Sequence, residues 1–248
     1  MKNLLLAMVA AGLVVGTATA TWYDNFDSYT LGSINGQGGW AGWDNNPAYA
    51  GTVTNERSRS SPNSQLIQGI HDSVRTFTGY TSGVWTFTAY QYIPGNMVGN
   101  SYYILLSKYV PGNQAQNVWT VQLDFDSTTK MIVGDCGAPD NVRLPYVPDS
   151  WAEIKVQIYL DPYPVGDWTK IYYNGTLLDD PALPDHPTLG GGYRWTKGVF
   201  GTNNGPLSIE CVDLFANNAT KVYYDDMSLV PEPTSLLMLA VLGLLRRR

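Results

Sequence analysis

Histidine and cysteine are scarce in this sequence. Its 248 residues include two histidines, His71 and His186, and two cysteines, Cys136 and Cys211. Neither histidine lies at ligand spacing from a cysteine, which argues against a zinc-type cluster. Both histidines lie in turn-rich sequence beside an aspartate, where we expect surface residues rather than the placed base that serine-type nucleophilic catalysis needs.

Sustained helical periodicity is also missing between residues 21 and 229. Period-two alternation of apolar and polar residues recurs instead, in a composition with 25 glycines, 15 prolines and 17 tyrosines. Such alternation is typical of antiparallel sheets with one solvent-exposed face. The clearest segments are Val84–Ile93, Val118–Asp126 and Trp151–Leu160. In Val118–Asp126 it predicts that Trp119, Val121, Leu123 and Phe125 point inward.

One further signal predicts a hairpin, and the length predicts one domain. Asn174-Gly175 separates two apolar runs, which is a strong signal for a two-residue β-turn. About 210 residues lie between the two chain ends described below, which fits one all-β sandwich. We find no second domain and no repeat.

The chain is strongly acidic once its two ends are set aside. Without Lys2 and Arg246–Arg248, 15 − 4 = 11 basic residues face 21 acidic ones, so the remainder is near −10. This balance argues against nucleic acid or an anionic membrane as a partner. It is compatible with neutral glycans or with bound cations.

The first twenty residues fit a secretory signal peptide. Lys2 supplies the positive region, Leu4–Val15 the apolar core, and Ala18-Thr19-Ala20 the small-residue cleavage site. We expect a helical signal over residues 1–20 and a mature chain that begins at Thr21. The protein is therefore expected to be exported.

The last nineteen residues form a tail with three parts. Pro231-Glu232-Pro233 precedes an uncharged apolar run, and Arg246, Arg247 and Arg248 end the chain. The twelve residues Thr234–Leu245 make a helix of roughly 18 Å, which is short for a permanent span of about 20 residues. We expect a membrane-engaging C-terminal helix, the alternative being a buried one.

This order of parts resembles the PEP-CTERM sorting signal. The resemblance covers residues 230–248 and implies recognition by an exosortase in the inner membrane, with cleavage near Pro-Glu-Pro. It implies a Gram-negative protein that is transiently anchored there and is bound for the cell surface or the extracellular matrix. It implies nothing about the chemistry of the rest of the chain.

The middle of the chain resembles the concanavalin A-like and laminin-G-like sandwich superfamily. The residues that carry the resemblance are Trp151-x-Glu153-x-Lys155-Val156-x-Ile158, Ile171-Tyr172-Tyr173-Asn174-Gly175 and Val222-Tyr223-Tyr224-Asp225-Asp226-Met227-Ser228-Leu229. It implies a jelly roll of two antiparallel sheets over residues 21–229. That superfamily holds lectins, carbohydrate-binding modules, glycosidases, lyases and spacer domains, so the fold leaves function open.

Catalysis finds little support in the sequence. The Glu-x-Asp-x-x-Glu motif typical of glycosidases on this fold is absent. Asp124 and Asp126 share a strand face and form either a carboxylate pair or a solvated strand end. A lyase with a tyrosine base stays open, so a carbohydrate-active enzyme is one alternative function.

Glycan binding is the function that the aromatic residues favour. Sugar rings stack on exposed aromatic faces beside polar groups. Trp151 and Tyr159 lie on the polar side of their strand, and Trp40, Trp43 and Trp195 lie in or next to glycine-rich loops. The alternative for each is a role in the core or as a loop anchor. A structural spacer without a ligand is the remaining alternative.

Calcium is a candidate ligand at the junction of the first and last strands. Asp24, Asp27, Asp225 and Asp226 supply the oxygen atoms that calcium prefers, and first and last strands often pair in a sandwich. The alternative is that these aspartates cap turns.

The two cysteines predict either one disulfide or two buried thiols. An even number in an exported chain favours the Cys136–Cys211 bond. Closing a loop of about 75 residues would contribute roughly 4 kcal/mol.

Overall fold

The alternating segments form strands in a computed structural model, which describes residues 21–136, 142–198 and 204–232. Four single-turn 3-10 helices accompany them: Trp43–Asn45, Pro47–Tyr49, Gln114–Gln116 and Trp195–Lys197. Sixteen strands form in these ranges: β1 (Trp22–Asp24), β2 (Gly32–Ser33), β3 (Trp40–Gly42), β4 (Thr52–Thr54), β5 (Ser64–Ile67), β6 (Asp72–Thr76), β7 (Val84–Tyr92), β8 (Asn100–Lys108), β9 (Val118–Asp126), β10 (Met131–Asp135), β11 (Val142–Pro145), β12 (Trp151–Tyr159), β13 (Trp168–Tyr173), β14 (Thr176–Leu178), β15 (Cys211–Phe215) and β16 (Val222–Pro231).

The strands form two antiparallel sheets, as predicted. The first sheet has the order β14-β13-β12-β7-β16-β5-β4-β2, with β1 paired to β16. The second sheet has the order β11-β10-β9-β8-β15-β6-β3. Neighbouring strands are often far apart in sequence, so most of the pairing depends on contacts that local preferences do not specify.

The core lies between the sheets and follows the predicted alternation. Ile154, Val156 and Ile158 of β12 are fully buried, as are Leu123 and Phe125 of β9. Burying each such side chain contributes about 1.5–3 kcal/mol relative to leaving it exposed. Period two therefore assigned the inward position of these five residues correctly.

The predicted hairpin joins β13 to β14. Tyr173 pairs with Thr176 across the turn. Asn174 and Gly175 have φ values of 46° and 81°. A turn with positive φ at both central residues matches the right-handed twist of the strands, which is why Asn-Gly is favoured there.

The last described strand extends into the predicted tail. Pro231 pairs with Trp85, the amide of Glu232 donates to the carbonyl of Val84 at 2.8 Å, and the Glu232 carboxylate accepts from the Thr86 hydroxyl. The boundary drawn at residue 230 therefore falls inside a strand. The rest of the tail, 233–248, and the signal peptide, 1–20, lie outside the described residues.

Among the described residues, no helix has the length and apolar character needed to cross a bilayer. The predicted helices at the two chain ends belong to the ranges that the structure does not describe.

Cys136 and Cys211 are free, buried thiols rather than the predicted disulfide. Cys136 follows β10 and packs in the core between the sheets, whereas Cys211 packs in a separate cluster on the outer face of the second sheet. Strands β9 and β8 lie between β10 and β15. Three strand spacings amount to roughly 14 Å, which exceeds the reach of a disulfide.

Candidate functional site

Two of the predicted ligand-binding tryptophans are core residues. Trp40 is 1% exposed and donates its indole N–H to Asp24 Oδ2 at 2.9 Å. Trp195 is fully buried and donates to the carbonyl of Ser208 at 3.0 Å. A ring without exposed surface cannot stack on a ligand, so both side chains anchor their loops instead.

Trp151 and Tyr159 lie on the outer face of the first sheet, where the alternation placed them. Both side chains are half-buried. Trp151 packs edge-on against Tyr92 with ring centroids 5.7 Å apart, and the guanidinium of Arg57 covers the Tyr92 ring at 3.9 Å. The surface of this face is therefore partly filled by its own side chains.

Trp43 forms an aromatic pair that the sequence did not reveal. Its ring stacks on Trp119 with centroids 6.0 Å apart and an interplanar angle of 20°. Trp119 packs with residues of the outer face of the second sheet, not with the core. The prediction that Trp119 points inward is wrong because the β8–β9 register shifts between Leu105 and Leu106. Such a bulge reverses the side on which a residue lies.

The loop that carries Trp43 is fixed by neighbouring polar contacts. The Asp44 amide donates to the Tyr109 hydroxyl at 2.9 Å, and the Gly112 amide donates to Asp44 Oδ1 at 2.7 Å. The Tyr109 ring lies 4.8 Å from that of Trp43. The exposed ring surface of the pair is thus held in place before any ligand arrives.

Strand register places polar and apolar side chains in mixed rows beside this pair. One row across the second sheet runs Asp72, Phe215, Tyr102 and Asp124. The next row runs Val74, Asp213, Ile104, Gln122 and Asp135. Five strands therefore contribute to one surface, although their residues are widely separated in the sequence.

Asp72 and Asp213 form a carboxyl pair within this surface. The two side chains hydrogen-bond to each other, and Asp213 is 3% exposed. Burial raises the pKa of Asp72 to about 6, and burial together with the Asp72 charge raises the pKa of Asp213 well above its usual range. Like charges in contact resist joint ionisation, so deprotonation of one carboxyl raises the pKa of the other.

The carboxyl pair retains unused hydrogen-bonding capacity. Within the described part of the chain, Oδ1 of Asp72 and Oδ1 of Asp213 are buried and have no hydrogen-bond partner. A buried polar atom without a partner costs about 1–3 kcal/mol. Both atoms are enclosed by protein, so this cost falls on the stability of the folded chain.

A groove joins the carboxyl pair to the aromatic pair. One depression of about 270 Å³ is lined by Trp43, Trp119, Gln122, Asp72 and Asp213, among others. A second depression of about 480 Å³ shares Trp43 and Asp72 with the first. We call this continuous surface the second-sheet groove. It offers flat rings beside polar groups that accept and donate hydrogen bonds.

The carboxyl groups in this region lack the spacing of a glycosidase. Hydrolysis of a glycosidic bond uses two carboxyls about 5 Å or more apart, whereas Asp72 and Asp213 are in direct contact. Asp126 caps its own turn, accepting from the Thr128 amide at 2.8 Å, and Asp124 accepts two bonds from Asn100 at 2.9 Å. Asp124 and Asp126 therefore have separate structural roles, one bound to Asn100 and the other capping a turn.

The predicted calcium ligands are occupied by protein donors. Asp24 accepts from Trp40, Tyr29 and the Phe26 amide. The other predicted ligands do likewise: Asp27 accepts from Asn25 and Asn63, Asp225 from the amides of Arg59 and Ser60, and Asp226 from Tyr23 and Arg59.

The pairing of β1 with β16 that motivated the calcium prediction is confirmed, since Asp24 lies opposite Met227. Yet no group of three or more acidic, histidine or cysteine side chains in the described ranges is arranged to hold a metal. These aspartates connect strands and turns, so the residues present do not fit a calcium ion.

Comparisons with known proteins support the fold. No protein-family model matches this chain, and no curated protein matches it either. The globular domain of T. cruzi calreticulin is similar with a TM-score of 0.54 at 9% identity, over 85% of this chain and 90% of that one. A Trypanosoma rangeli sialidase in complex with 2,3-difluorosialic acid is similar with a TM-score of 0.52 at 12% identity, over 86% of this chain.

This chain spans 31% of the length of that sialidase. A carbohydrate-binding module, CBM66 from Bacillus subtilis, is matched with a TM-score of 0.44 at 11% identity, over 77% of this chain and 95% of that one, which is too low to carry an inference. At these identities the matches establish a β-sandwich of this type and leave the ligand open.

Proposed function

We propose that the protein is a non-catalytic carbohydrate-binding module that holds a polysaccharide in the second-sheet groove. The observation that carries this proposal is the stacked Trp43–Trp119 pair in a groove that Asp72, Asp213 and Gln122 also line. Sugar rings pack on aromatic faces, and sugar hydroxyls both donate and accept. The type of fold, shared with a calreticulin domain, is compatible with this function.

The groove favours a neutral glycan over an acidic one. The charged residues in its lining are Asp44, Asp72 and Asp213, with no lysine or arginine among the described lining residues. An acidic polysaccharide would bring like charge to these carboxylates. The net charge near −10 of the residues between the chain ends also disfavours an acidic polysaccharide.

The two chain ends supply the cellular part of the proposal. The N-terminal signal and the PEP-CTERM-like tail support export, sorting by an exosortase from the inner membrane, and residence at the cell surface or in the extracellular matrix. The module would then attach the protein to matrix polysaccharide as an adhesion element.

Affinity electrophoresis of the full-length protein against soluble neutral polysaccharides tests the binding function. We expect retardation by at least one glycan and its loss in Trp43→Ala and Trp119→Ala. Removal of a stacking ring costs about 1–2 kcal/mol, or roughly a tenfold loss of affinity. Trp151→Ala is the matched control because it removes a half-buried tryptophan from the opposite sheet.

The outcomes separate the candidate functions. Loss of retardation in Trp151→Ala alone would move the site to the first sheet and refute the groove. Unchanged mobility on every neutral glycan would favour a spacer. Release of reducing ends or of unsaturated sugars would establish an enzyme instead.

A further inference from the structure

A second cavity lies among the loops at the β14 edge of the first sheet. It is formed by the β12–β13 loop and the segment after β14, and its volume is about 240 Å³. It shares no lining residue with the second-sheet groove. Its lining includes Tyr163, Trp168, Tyr193, Asp185, Arg194 and Lys197. We call this cavity the loop pocket.

Backbone hydrogen bonds fix the walls of the loop pocket. Thr169 and Tyr193 exchange two such bonds, at 2.7 and 2.9 Å. His186 and Gly190 do the same at 3.1 and 3.0 Å, and the Gly192 amide donates to Asp179 Oδ1 at 2.9 Å. A ligand would therefore enter a largely pre-formed cavity, with little ordering cost.

His186 presents an unused donor beside the pocket. Its Nδ1 accepts from the amides of Thr188 and Leu189 at 3.2 and 3.1 Å, which places the ring proton on Nε2. The residue is 2% exposed, and Nε2 has no partner among the described residues. Its ring lies 5.6 Å from Tyr163 and 5.2 Å from Trp168, both of which line the pocket. His186 does not itself line the pocket, so it supports the wall rather than contacting a ligand.

Positive charge distinguishes the loop pocket from the groove. Arg194 is held by Asp167, whose Oδ2 accepts from Nε at 2.7 Å, and its guanidinium lies 4.3 Å from the centre of the Tyr163 ring. Lys197 lines the pocket and has no ion-pair partner within the described ranges. Asp185 is the acidic residue of the lining. Because Asp167 neutralises Arg194, Lys197 is the cation that remains for a ligand, whereas the charged groups in the lining of the groove are all acidic.

Size and chemistry together select a ligand class. About 240 Å³ is smaller than the cavities of roughly 300–1,000 Å³ that hold drug-sized ligands, so one sugar ring fits and a chain does not. Tyr163, which is 49% exposed, offers a ring face to the C–H side of a sugar. Lys197, which has no ion-pair partner in the described ranges, favours a ligand that carries an anionic oxygen.

We propose that the loop pocket is a second saccharide site that takes a single hexuronate residue. Its carboxylate would be held by Lys197, and its ring would pack on Tyr163. The site is independent of the groove, so the chain would contact a neutral glycan with one surface and an acidic sugar, such as a chain end or a side branch, with the other.

Calorimetric titration of the full-length protein with glucuronate, glucose and benzoate tests this proposal. We expect glucuronate to bind about tenfold more tightly than either comparison ligand, because it alone combines the sugar ring with a carboxylate. Lys197→Gln should remove this preference. Lys155→Gln should retain it, since Lys155 lies over Tyr172 on the outer face of the first sheet.

Several results would overturn the proposal. Equal affinity for glucose and glucuronate would show that charge has no role, and equal affinity for benzoate would show that the sugar ring has none. Absence of glucuronate binding would refute the site outright. Trp43→Ala must leave glucuronate binding intact, and a loss in that variant would place the acidic sugar in the groove instead.

Discussion

The Asp72–Asp213 pair predicts that the protein loses stability as pH rises, and Asp213→Asn tests this. Burial raises the pKa of Asp72 from 3.8 to about 6. A carboxyl whose pKa is raised by folding contributes its full stability below the unfolded pKa. That contribution is lost as pH rises through the folded pKa. A difference of about two units corresponds to roughly 3 kcal/mol.

Asparagine keeps the shape of Asp213 but cannot ionise, and its amide can donate to Asp72. We therefore expect Asp213→Asn to flatten the decline in unfolding free energy between pH 4 and pH 8, because the carboxyl whose pKa is raised by burial and by the Asp72 charge is removed. The variant should be more stable than the native protein at pH 8. Urea denaturation followed by tryptophan fluorescence across this range measures the difference.

Two comparisons make this measurement specific. Asp225, with a pKa raised to about 7 by burial, also destabilises at high pH, but it is present in both proteins and cancels in the difference. Asp126→Asn is the control, since hydrogen bonds from Thr129 hold the pKa of Asp126 below its usual value. An Asp213→Asn protein with the native pH slope would refute the shared proton.

Three further predictions follow from burial. Burial raises the thiol pKa of Cys136 to about 12 and that of Cys211 well above its usual value. Neither thiol should therefore react with a thiol reagent until the protein unfolds, and a reductant should leave Tm unchanged. A Tm that falls in reductant would show that the two cysteines form a disulfide. Asp24→Ala removes the acceptor of an indole, a phenol and an amide and should cost about 2–4 kcal/mol in urea denaturation; a cost near zero would show that these contacts contribute nothing. Trp195→Ala should lower the free energy of unfolding by about 3–5 kcal/mol, because the Trp195 ring is fully buried. Trp43→Ala should lower it less, because Trp43 is half-buried. The reverse order would contradict the assignment of Trp195 to the core and of Trp43 to the groove.

The sorting tail stays a prediction, but its first residues have a structural setting. Pro231 and Glu232 continue the pairing of β16 with β7. The sequence pattern Pro-Glu-Pro gave no sign of this, because the pairing partners near Val84 lie far away in the chain. The first residues of the Pro-Glu-Pro motif are thus part of a sheet, although the motif contains two prolines.

Local pattern was sufficient for strands but not for the site. The strand Val118–Asp126 was predicted with both of its observed ends, and the alternation of β12 matched its burial along the whole strand. The same alternation placed Trp119 on the wrong face, because a β-bulge turns it to the outer side of the sheet. Asp72 and Asp213 carry no recognisable signal in the sequence, because the β6–β15 pairing that joins them connects distant parts of the chain.

The amino-acid sequence by itself determined that the chain is an antiparallel β protein with one hairpin at Asn174-Gly175 and wet outer faces. These properties depend on side-chain alternation and turn chemistry, which act over a few residues. Only the tertiary structure decided which solvent-exposed face carries the candidate site. The β6–β15 pairing brings Asp72 to Asp213, and the β8–β9 bulge brings Trp119 to Trp43. Such contacts form only when distant strands align, because register is set by packing of the whole sandwich.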